Sequence, residues 1–175
     1  MRRTFGFLIC ISLLVAACNK TTSPGLSTAE QLDKDINMID EYIASKGLTV
    51  VSLDNGIRYI ITEMGTGALP TAQNCVRFRY AGHQLYDTAA FGKNMEDGLK
   101  SPLVSLVAGM QIGMKLMPVG SKGTIFMPSG YAYGTTGIYD ASSKTYIVNP
   151  NTPLWFDVEI LQLYDYNTLG NYCYE

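Results

Sequence analysis

Two tyrosines that follow a Pro-Ser-Gly turn are the residues of this sequence best suited to line a binding site. Tyr131 and Tyr133 lie in residues 128–134, Pro-Ser-Gly-Tyr-Ala-Tyr-Gly. Proline and glycine favour a sharp bend, so the pattern predicts aromatic side chains where a strand ends, around a shallow apolar pocket edged by hydroxyl groups. Taken singly, these are ordinary turn and core residues. The apolar stretches 106–110 and 154–159 on either side favour the pocket.

Acid–base and nucleophilic chemistry has little support in the sequence. Cys75 and the single histidine, His83, could form a thiol–imidazole pair, but His83 is predicted to lie in a hairpin loop and no third group orients it. Glu96 and Asp97 lie in a polar, irregular stretch and are predicted to be solvated charges. We therefore expect no catalytic acid–base pair, no metal site and no cofactor.

The N-terminus has the features of a secretory signal. Residues 1–17 comprise a basic start, an apolar run too short to span a bilayer, and two alanines directly before Cys18. The sequence Leu-Val-Ala-Ala-Cys at 14–18 resembles the bacterial lipobox, so we predict cleavage before Cys18 and acylation of its thiol. An ordinary cleaved signal followed by a coincidental cysteine is the alternative. Several acyl chains would anchor the protein stably in a lipid bilayer.

This signal predicts a lipid-anchored protein of the cell envelope. Asn19 is not the aspartate that retains enterobacterial lipoproteins at the inner membrane, so we prefer an outer-membrane anchor facing the periplasm. Residues 18–26 are predicted to be a lipidated tether. Loss of Arg2 and Arg3 with the signal would leave the other Lys and Arg residues outnumbered by 15 Asp and Glu, without a basic stripe. Nucleic acid and anionic membrane surfaces are therefore excluded as expected partners.

The cysteine content allows one disulfide. Cys10 would be lost with the signal and Cys18 acylated, which leaves Cys75 and Cys173 in a compartment that permits disulfides. Because Cys75 starts an apolar strand pattern and Cys173 lies among the last residues, a disulfide and two free thiols both stay open.

An amphipathic helix is predicted at residues 28–46. Ser27 and Glu30 have the spacing of a capping box, and apolar residues then recur at helical spacing until Gly47. These apolar residues are Leu32, Ile36, Ile39 and Ile43. The stripe could pair with a second copy to form a homodimer. We favour packing on the chain's own domain, because the helix is short for an independent coiled coil.

The rest of the chain has the periodicity of strands and one further helix. Asn55-Gly56 predicts a tight hairpin, and the helix is expected at 110–117. Strands are predicted at 49–53, 57–61, 76–80, 123–127 and 153–163, with an irregular stretch at 92–100 and a flap at 135–144. The pattern predicts an α+β fold in which one short helix crosses an antiparallel sheet.

Several ordered motifs together resemble the FKBP-type peptidyl-prolyl cis-trans isomerase family. Each motif is weak alone, but together they cover residues 53–163. They are Gly56-Ile57-x-Tyr59, Gly65-x-Gly67-x-x-Pro70, Val76-x-Phe78-x-Tyr80-x-Gly82, Val107-x-Gly109, Gly113-Met114-x-Leu116-Met117-x-Val119-Gly120, Pro128-x-x-Tyr131-Ala132-Tyr133-Gly134 and Leu154-x-Phe156-Asp157-Val158-Glu159. The resemblance implies an FKBP-like antiparallel half-barrel sheet wrapped around one short helix. The FKBP-type domain would span 48–165, with the N-terminal amphipathic helix at 27–47 before it and a tail at 166–175 after it.

The resemblance also implies a shallow apolar cavity between the sheet and the short helix. Its catalytic residues would be Tyr80, Phe91 and Phe156 in the walls, Val107 at the back, Met110 on the floor and Tyr133 at the rim. Further substrate contacts would come from Leu106, Ile138 and Val148. In this family the backbone amide at the position of Val107 and the hydroxyl at the position of Tyr133 bind carbonyl groups. The expected partners are proline-containing unfolded or extended polypeptides.

Departures from the family's motifs imply weaker catalysis. Gly92 replaces an aspartate whose carboxylate binds a pocket tyrosine, and Met110 replaces the usual tryptophan of the floor. A wall phenylalanine is missing near residues 101–103, and Ile138 stands where many members have a polar or aromatic residue. Residues 139–146 form an insertion in the flap, which implies a different lid over the cavity.

Three functions are consistent with these features. The first is a peptidyl-prolyl isomerase of reduced activity that assists the folding of exported proteins. The second is a non-catalytic peptide-binding chaperone module, and the third is a structural lipoprotein subunit with a vestigial pocket. The retained cavity aromatics argue against the third function, and we favour the isomerase over the binding module.

Overall fold

The computed structural model describes residues 26–165 and Cys173. These residues form α1 (Thr28–Ser45), β1 (Val51–Ser52), β2 (Arg58–Glu63), β3 (Asn74–Gln84), β4 (Ala90–Pro102), α2 (Ala108–Met114), β5 (Lys122–Met127), β6 (Ile138–Asp140), β7 (Thr145–Val148) and β8 (Leu154–Asp165). Short 3₁₀ turns follow β4 and β5, at Leu103–Ser105 and Ser129–Tyr131. The predicted signal, Cys18, nearly all of the tether and the C-terminal tail other than Cys173 lie outside the described residues.

Six strands form one antiparallel sheet in the order β1-β2-β5-β8-β3-β4, and β6 and β7 form a separate hairpin. β8 lies at the centre, paired with β3 on one side and β5 on the other. The predicted hairpin at Asn55-Gly56 joins β1 to β2, with Gly56 at a φ of 86° that favours glycine. The expected α+β architecture, with a short helix on the sheet and a second helix before it, is confirmed.

Side-chain alternation along the central strands places the two helices on opposite faces of the sheet. One face packs against α2 in a cluster that includes Met110, Met114, Ile125, Met127, Phe156 and Val158. The intervening Phe126 and Trp155 point the other way and pack with Ile39 and Ile43 of α1. We call these surfaces the α2 face and the α1 face.

α1 docks on its own domain, as favoured from the sequence. The capping box is present: the Ser27 amide donates to Glu30 Oε2 at 2.8 Å, and the Glu30 amide donates to Ser27 Oγ at 3.3 Å. Asp40 receives two hydrogen bonds from the Arg58 guanidinium of β2, at 2.9 and 3.0 Å. In the part of the chain that the structure describes, neither helix is long and apolar enough to cross a membrane. A homodimer through α1 stays a prediction.

Residues 92–100, predicted to be irregular, belong to β4. Two register shifts against β3 and a positive φ of 80° at Gly98 interrupt the alternation that identifies a strand. β4 is also an edge strand, and charged residues are typical of exposed edges. Glu96 and Asp97 are exposed, as expected, but they lie in a strand and not in a loop.

The prediction of a hairpin loop at His83 is wrong. β3 continues through Gln84, and the buried His83 ring stacks on Trp155 with 3.8 Å between ring centroids.

Cys75 is joined to Cys173 in a disulfide, with Cα atoms 6.0 Å apart. Cys75 is therefore not a free nucleophile. A crosslink between residues 98 positions apart stabilises the fold by about 4 to 5 kcal/mol in chain-entropy estimates.

The second helix and the insertion also differ in detail from expectation. The helix predicted at 110–117 begins two residues earlier and ends at Met114, after which the chain forms a turn.

The insertion at 139–146 forms most of the β6–β7 hairpin. Exposed Tyr139 and Tyr146 meet edge to face there, with centroids 5.2 Å apart. In the turn, hydrogen bonds from Ser142 and Ser143 lower the pKa of Asp140 to about 2.

Candidate active site

A cavity of about 260 Å³ opens on the α2 face of the sheet. Strands β3, β4 and β8, the start of α2 and the chain after the Ser129–Tyr131 turn each contribute side chains to it. Its lining residues are Phe78, Tyr80, Phe91, Gly92, Leu99, Ser105, Leu106, Val107, Met110, Tyr133 and Phe156. The lining is mainly apolar and aromatic, which is typical of a site for an uncharged group.

Seven of the nine predicted cavity residues line this cavity together. They are Tyr80, Phe91, Leu106, Val107, Met110, Tyr133 and Phe156. Ile138 and Val148 do not line it, and this part of the prediction is corrected. They pair with each other at the base of the β6–β7 hairpin, and Val148 is buried in the core with 1% of its surface exposed.

The sequence did not identify Phe78, Leu99 and Ser105 as lining residues. Phe78 precedes Tyr80 by two residues, so its position on the same face of β3 was available from alternation. Leu99 lies near the Gly98 bulge in β4, which hides its direction from any regular pattern.

Gly82 lets two aromatic rings meet above the sheet. Its register partners are Gly92 of β4 and Phe156 of β8. Phe91 and Phe156 meet edge to face, with centroids 5.7 Å apart and an interplanar angle of 89°. A Cβ atom at position 82 would lie 2.5 Å from Phe156 Cε1 and 2.8 Å from Phe91 Cζ. A side chain at this position would therefore displace a cavity wall.

Tyr133 is held at the rim by the backbone of a tight loop. The Gly134 amide donates to the Ser129 carbonyl at 2.8 Å, and the Gly137 amide donates to the Tyr133 carbonyl at 3.1 Å. Gly134 takes a φ of 55°, a left-handed conformation that glycine adopts readily. The Tyr133 ring meets Phe91 edge to face at 6.3 Å.

The Tyr133 hydroxyl is a protonated donor at neutral pH. Partial burial, and secondarily the nearby Tyr80, raise the pKa of Tyr133 above its usual value of 10.0. Within residues 26–165 and Cys173, no group hydrogen-bonds to this hydroxyl. It can therefore donate to a ligand carbonyl without breaking an internal hydrogen bond.

A second donor lies at the start of α2. The Val107 carbonyl accepts a hydrogen bond from the Gln111 amide at 3.1 Å, whereas the Val107 amide has no acceptor among the described residues. The Gln111 side chain donates to the carbonyls of Val104 and Leu106 at 3.1 and 2.8 Å. These bonds fix the backbone just before Val107, so that its amide is preset beside the cavity.

Gly92 and Met110, the two positions that depart from the family's motifs, both lie on the cavity surface. A Cβ atom at Gly92 would lie 3.8 Å from the Tyr80 hydroxyl, at ordinary contact distance. A carboxylate at position 92 could therefore reach this hydroxyl, which has no hydrogen-bond partner among the described residues. Met110 is 3% exposed and forms the floor with a flexible thioether chain.

Charged groups are absent from the described cavity lining. His83 stacks on Trp155 on the α1 side of β3 and β8, and Glu96 and Asp97 of β4 are exposed. Among residues 26–165 and 173, no cluster of three His, Cys, Asp or Glu side chains could hold a metal ion. The arrangement offers an apolar enclosure with neutral hydrogen-bond donors, among them the Val107 amide and the Tyr133 hydroxyl.

A sequence profile of the family described as FKBP-type peptidyl-prolyl cis-trans isomerase matches residues 67–161, more than half of the chain. The chain belongs to this family. The FKBP-type match runs from the loop before β3 into β8, and so contains every residue that lines the cavity.

Individual relatives agree with the family assignment. The FKBP-type peptidyl-prolyl cis-trans isomerase FkpA of Aeromonas hydrophila is 38% identical over 128 residues, which cover 71% of this chain and 45% of that protein. Outer membrane protein MIP of Legionella longbeachae is 28% identical over 116 residues, which cover 65% of this chain and 47% of that protein. The chain thus spans about half the length of these curated relatives.

A solved structure is similar over a larger share of its own length. A peptidyl-prolyl cis-trans isomerase from Pseudomonas syringae matches with a TM-score of 0.64 and 28% identity, covering 79% of this chain and 96% of that one. The FKBP-like fold expected from the sequence is confirmed.

Proposed function

We propose that this protein is a peptidyl-prolyl cis-trans isomerase that acts on unfolded or extended proline-containing polypeptides. The observation that carries the proposal is the cavity itself. Tyr80, Phe91 and Phe156 surround an apolar space, and the hydroxyl of Tyr133, which has no hydrogen-bond partner among the described residues, lies at its rim. The family assignment supports the same activity.

The reaction is rotation about the amide bond that precedes proline. Amide resonance gives this bond a barrier of about 18 to 20 kcal/mol, and uncatalysed exchange takes roughly tens to hundreds of seconds. Resonance is lost in the twisted transition state, which is less polar than the planar amide. An apolar aromatic enclosure therefore stabilises the twisted form relative to the planar form, without any proton transfer or covalent intermediate.

The two donors fix the substrate chain on either side of the rotating bond. The Val107 amide and the Tyr133 hydroxyl each donate to a substrate carbonyl, while the proline ring occupies the cavity between Tyr80 and Phe156 above Met110. Holding both flanks keeps the peptide in a turn as the amide rotates. The donors are preset by the protein and require no rearrangement during the reaction.

Two substitutions support reduced activity. Without a carboxylate at Gly92, the Tyr80 hydroxyl has no partner within the described part of the chain that would hold the wall ring in one orientation. Met110 has more rotatable bonds than a tryptophan and defines the floor less rigidly. The alternative function, a chaperone module that binds peptides without catalysis, rests on the same two substitutions.

We further propose that the protein assists the folding of exported proteins from an outer-membrane lipid anchor at Cys18, facing the periplasm. The lipobox-like sequence at 14–18 supports the anchor. The name of the Legionella relative, outer membrane protein MIP, agrees with this location. A homodimer through α1 is a lesser proposal, because the Ile39 and Ile43 side chains of α1 are already buried on its own sheet.

The test is the cis-to-trans relaxation of a short peptide with phenylalanine or leucine before proline. We expect the purified protein to accelerate relaxation above the uncatalysed rate. Tyr133→Phe should lower kcat/KM about tenfold, the value of one lost hydrogen bond of about 1.4 kcal/mol. Tyr139→Phe is the matched control, because it removes a tyrosine hydroxyl from the exposed hairpin outside the cavity. No acceleration by the wild type at micromolar protein would overturn the enzyme proposal.

Gly92→Asp separates a weak enzyme from a binding module. The added carboxylate should accept a hydrogen bond from Tyr80 and raise kcat/KM by about three- to tenfold, the effect of one charge-assisted hydrogen bond. Tyr80→Phe with Gly92→Asp is the control, because the carboxylate then has no hydroxyl to bind. Peptide binding that persists in both proteins without any acceleration would favour the chaperone module.

A further inference from the structure

A buried carboxylate on α1 reaches the loop that carries Tyr133. Asp35 is 0% exposed, and its Oδ2 accepts hydrogen bonds from the amide of Ser129, at 2.7 Å, and from the Ser129 hydroxyl. Its Oδ1 accepts a hydrogen bond from Gln31 Nε2 at 2.6 Å. Asp35 Oδ2 thus fastens α1 to the turn after β5, while Oδ1 is bound within α1.

Ser129 begins the turn that leads to Tyr133. Its carbonyl accepts hydrogen bonds from the amides of Ala132 and Gly134, at 2.9 and 2.8 Å. These bonds close the backbone on both sides of Tyr133. Asp35 therefore holds Ser129, the first residue of a hydrogen-bonded loop. Tyr133 lies between Ala132 and Gly134, whose amides both donate to the Ser129 carbonyl.

Ser129 is buried, and the turn lies against α1 beside an open hollow. This hollow of about 410 Å³ lies between the start of α1 and the loop, lined among others by Leu32, Ser129, Tyr131 and Gly134. Among the described residues, the bonds from the Ser129 amide and hydroxyl to Asp35 are the hydrogen bonds that join α1 to this turn. Hydrogen bonds are directional, so they restrain the position of Ser129.

We propose that Asp35 is a positioning residue for Tyr133, and that α1 is thereby a working part of the active site. The inference rests on the proposed isomerase function. Asp35 does not touch the substrate; it sets the place of the rim hydroxyl through Ser129. The α1 face of the sheet in this way controls the geometry of the cavity on the α2 face.

A second carboxylate on the same helix provides a matched control. Asp40 also fastens α1 to the domain, but it binds Arg58 of β2, whose side chain makes no hydrogen bond to the Tyr133 loop among the described residues. Asp40→Ala weakens the docking of α1 without touching the turn. Asp35→Asn is the conservative variant, because its amide oxygen can still accept from Ser129 and Gln31 can rotate its own amide.

The experiment measures kcat/KM for an Xaa-Pro peptide with the purified protein and its variants, below the unfolding temperature of each. Asp35→Ala should lower kcat/KM about tenfold. Asp35→Asn should recover most of the loss, and Asp40→Ala should stay within about twofold of wild type. Combined with Tyr133→Phe, Asp35→Ala should cause no further loss, because both changes disable the same hydroxyl. Losses that multiply in the double variant would overturn the proposal.

A second readout does not depend on activity. Tyr133 ring resonances, assigned by their absence in Tyr133→Phe, should shift in Asp35→Ala and stay unchanged in Asp40→Ala. Unchanged resonances in Asp35→Ala would overturn the positioning role. The wild type could lack isomerase activity while the Tyr133 resonances still shift in Asp35→Ala. That result would refute the proposed function alone, and the effect of Asp35 on the position of Tyr133 would stand.

Discussion

The two faces of the central sheet use the same strands for different purposes. On the α2 face, side chains of β3, β4 and β8 surround a cavity of about 260 Å³ that no described side chain fills. On the α1 face, Phe126 and Leu85 are closed over by Ile39 and Ile43. Neighbouring residues of β5 alternate between the two, since Ile125 and Met127 belong to the α2 cluster and Phe126 to the other.

The two faces differ in the contacts that hold the helices against the sheet. The α2 cluster contains the flexible methionines Met110, Met114, Met117 and Met127. The α1 face is fastened instead by Asp35 and Asp40, which form directional hydrogen bonds to Ser129 and Arg58. Under the proposed function, the cavity leaves room for a proline ring and is therefore incompletely packed, whereas the opposite face supplies fixed contacts. The two faces should therefore respond differently to substitution.

The largest expected effect on stability is on the α1 face. Ile39→Ala removes a fully buried side chain and should lower the free energy of unfolding by about 2 to 5 kcal/mol. The folded fraction should keep kcat/KM within about threefold of wild type, because the hydrogen bonds of Asp35 remain. Denaturant unfolding and the peptide assay measure both quantities. Ile36→Ala, at a half-buried position of the same helix, is the control and should cost less. If Ile39→Ala lowered kcat/KM as much as Asp35→Ala does, the claim that packing on the α1 face affects stability but not activity would be contradicted.

On the cavity face, Gly82→Ala should affect activity more than stability. Its Cβ would push the rings of Phe91 and Phe156 apart, which typically costs about 1 to 3 kcal/mol of folding free energy. The displaced walls should abolish most of the acceleration in the peptide assay. Gly92→Ala is the control for stability and should change it by less than about 0.5 kcal/mol, because its Cβ has room. Full activity in Gly82→Ala would show that the walls do not act on the substrate.

The smallest effect concerns pH. Because the folded protein raises the pKa of Tyr133, the neutral donor form is favoured in the fold. Its contribution to stability is fully present below pH 10.0, the value for an unperturbed tyrosine, and is lost as pH rises through the higher pKa of the folded state. We expect kcat/KM to be level from about pH 6 to about pH 9 and to fall only at higher pH. A bell-shaped profile centred near neutrality would indicate an acid–base pair instead.

The cavity could largely be predicted from the sequence, because its residues lie at fixed places in ordered motifs. Tyr80, Phe91, Val107 and Phe156 sit on strands or at a helix start, where alternation and turns determine direction. Ile138 and Val148 were misplaced because their position depends on the pairing of an inserted hairpin. Its register follows from no family motif.

Asp35 shows why the other face was harder to predict. An aspartate on an amphipathic helix resembles a solvated charge, and its burial depends on Ser129, 94 residues away in the sequence. His83 was assigned to a loop for a related reason. Gly82 suggests a bend in sequence, whereas in the structure it makes room for two rings in an uninterrupted strand. In both cases the position of the residue depends on a partner distant in sequence, Ser129 for Asp35 and Trp155 for His83.

The central claim is that the cavity on the α2 face accelerates rotation about Xaa-Pro bonds. Exchange spectroscopy of an Xaa-Pro peptide at equilibrium tests this claim most directly, because free cis and trans forms exchange over roughly tens to hundreds of seconds and give no exchange peaks at a mixing time of about one second. Catalytic amounts of wild-type protein should produce cis–trans exchange peaks, and Tyr133→Phe combined with Phe156→Ala should not. Exchange peaks of equal intensity with both proteins, or none with the wild type, would contradict the account.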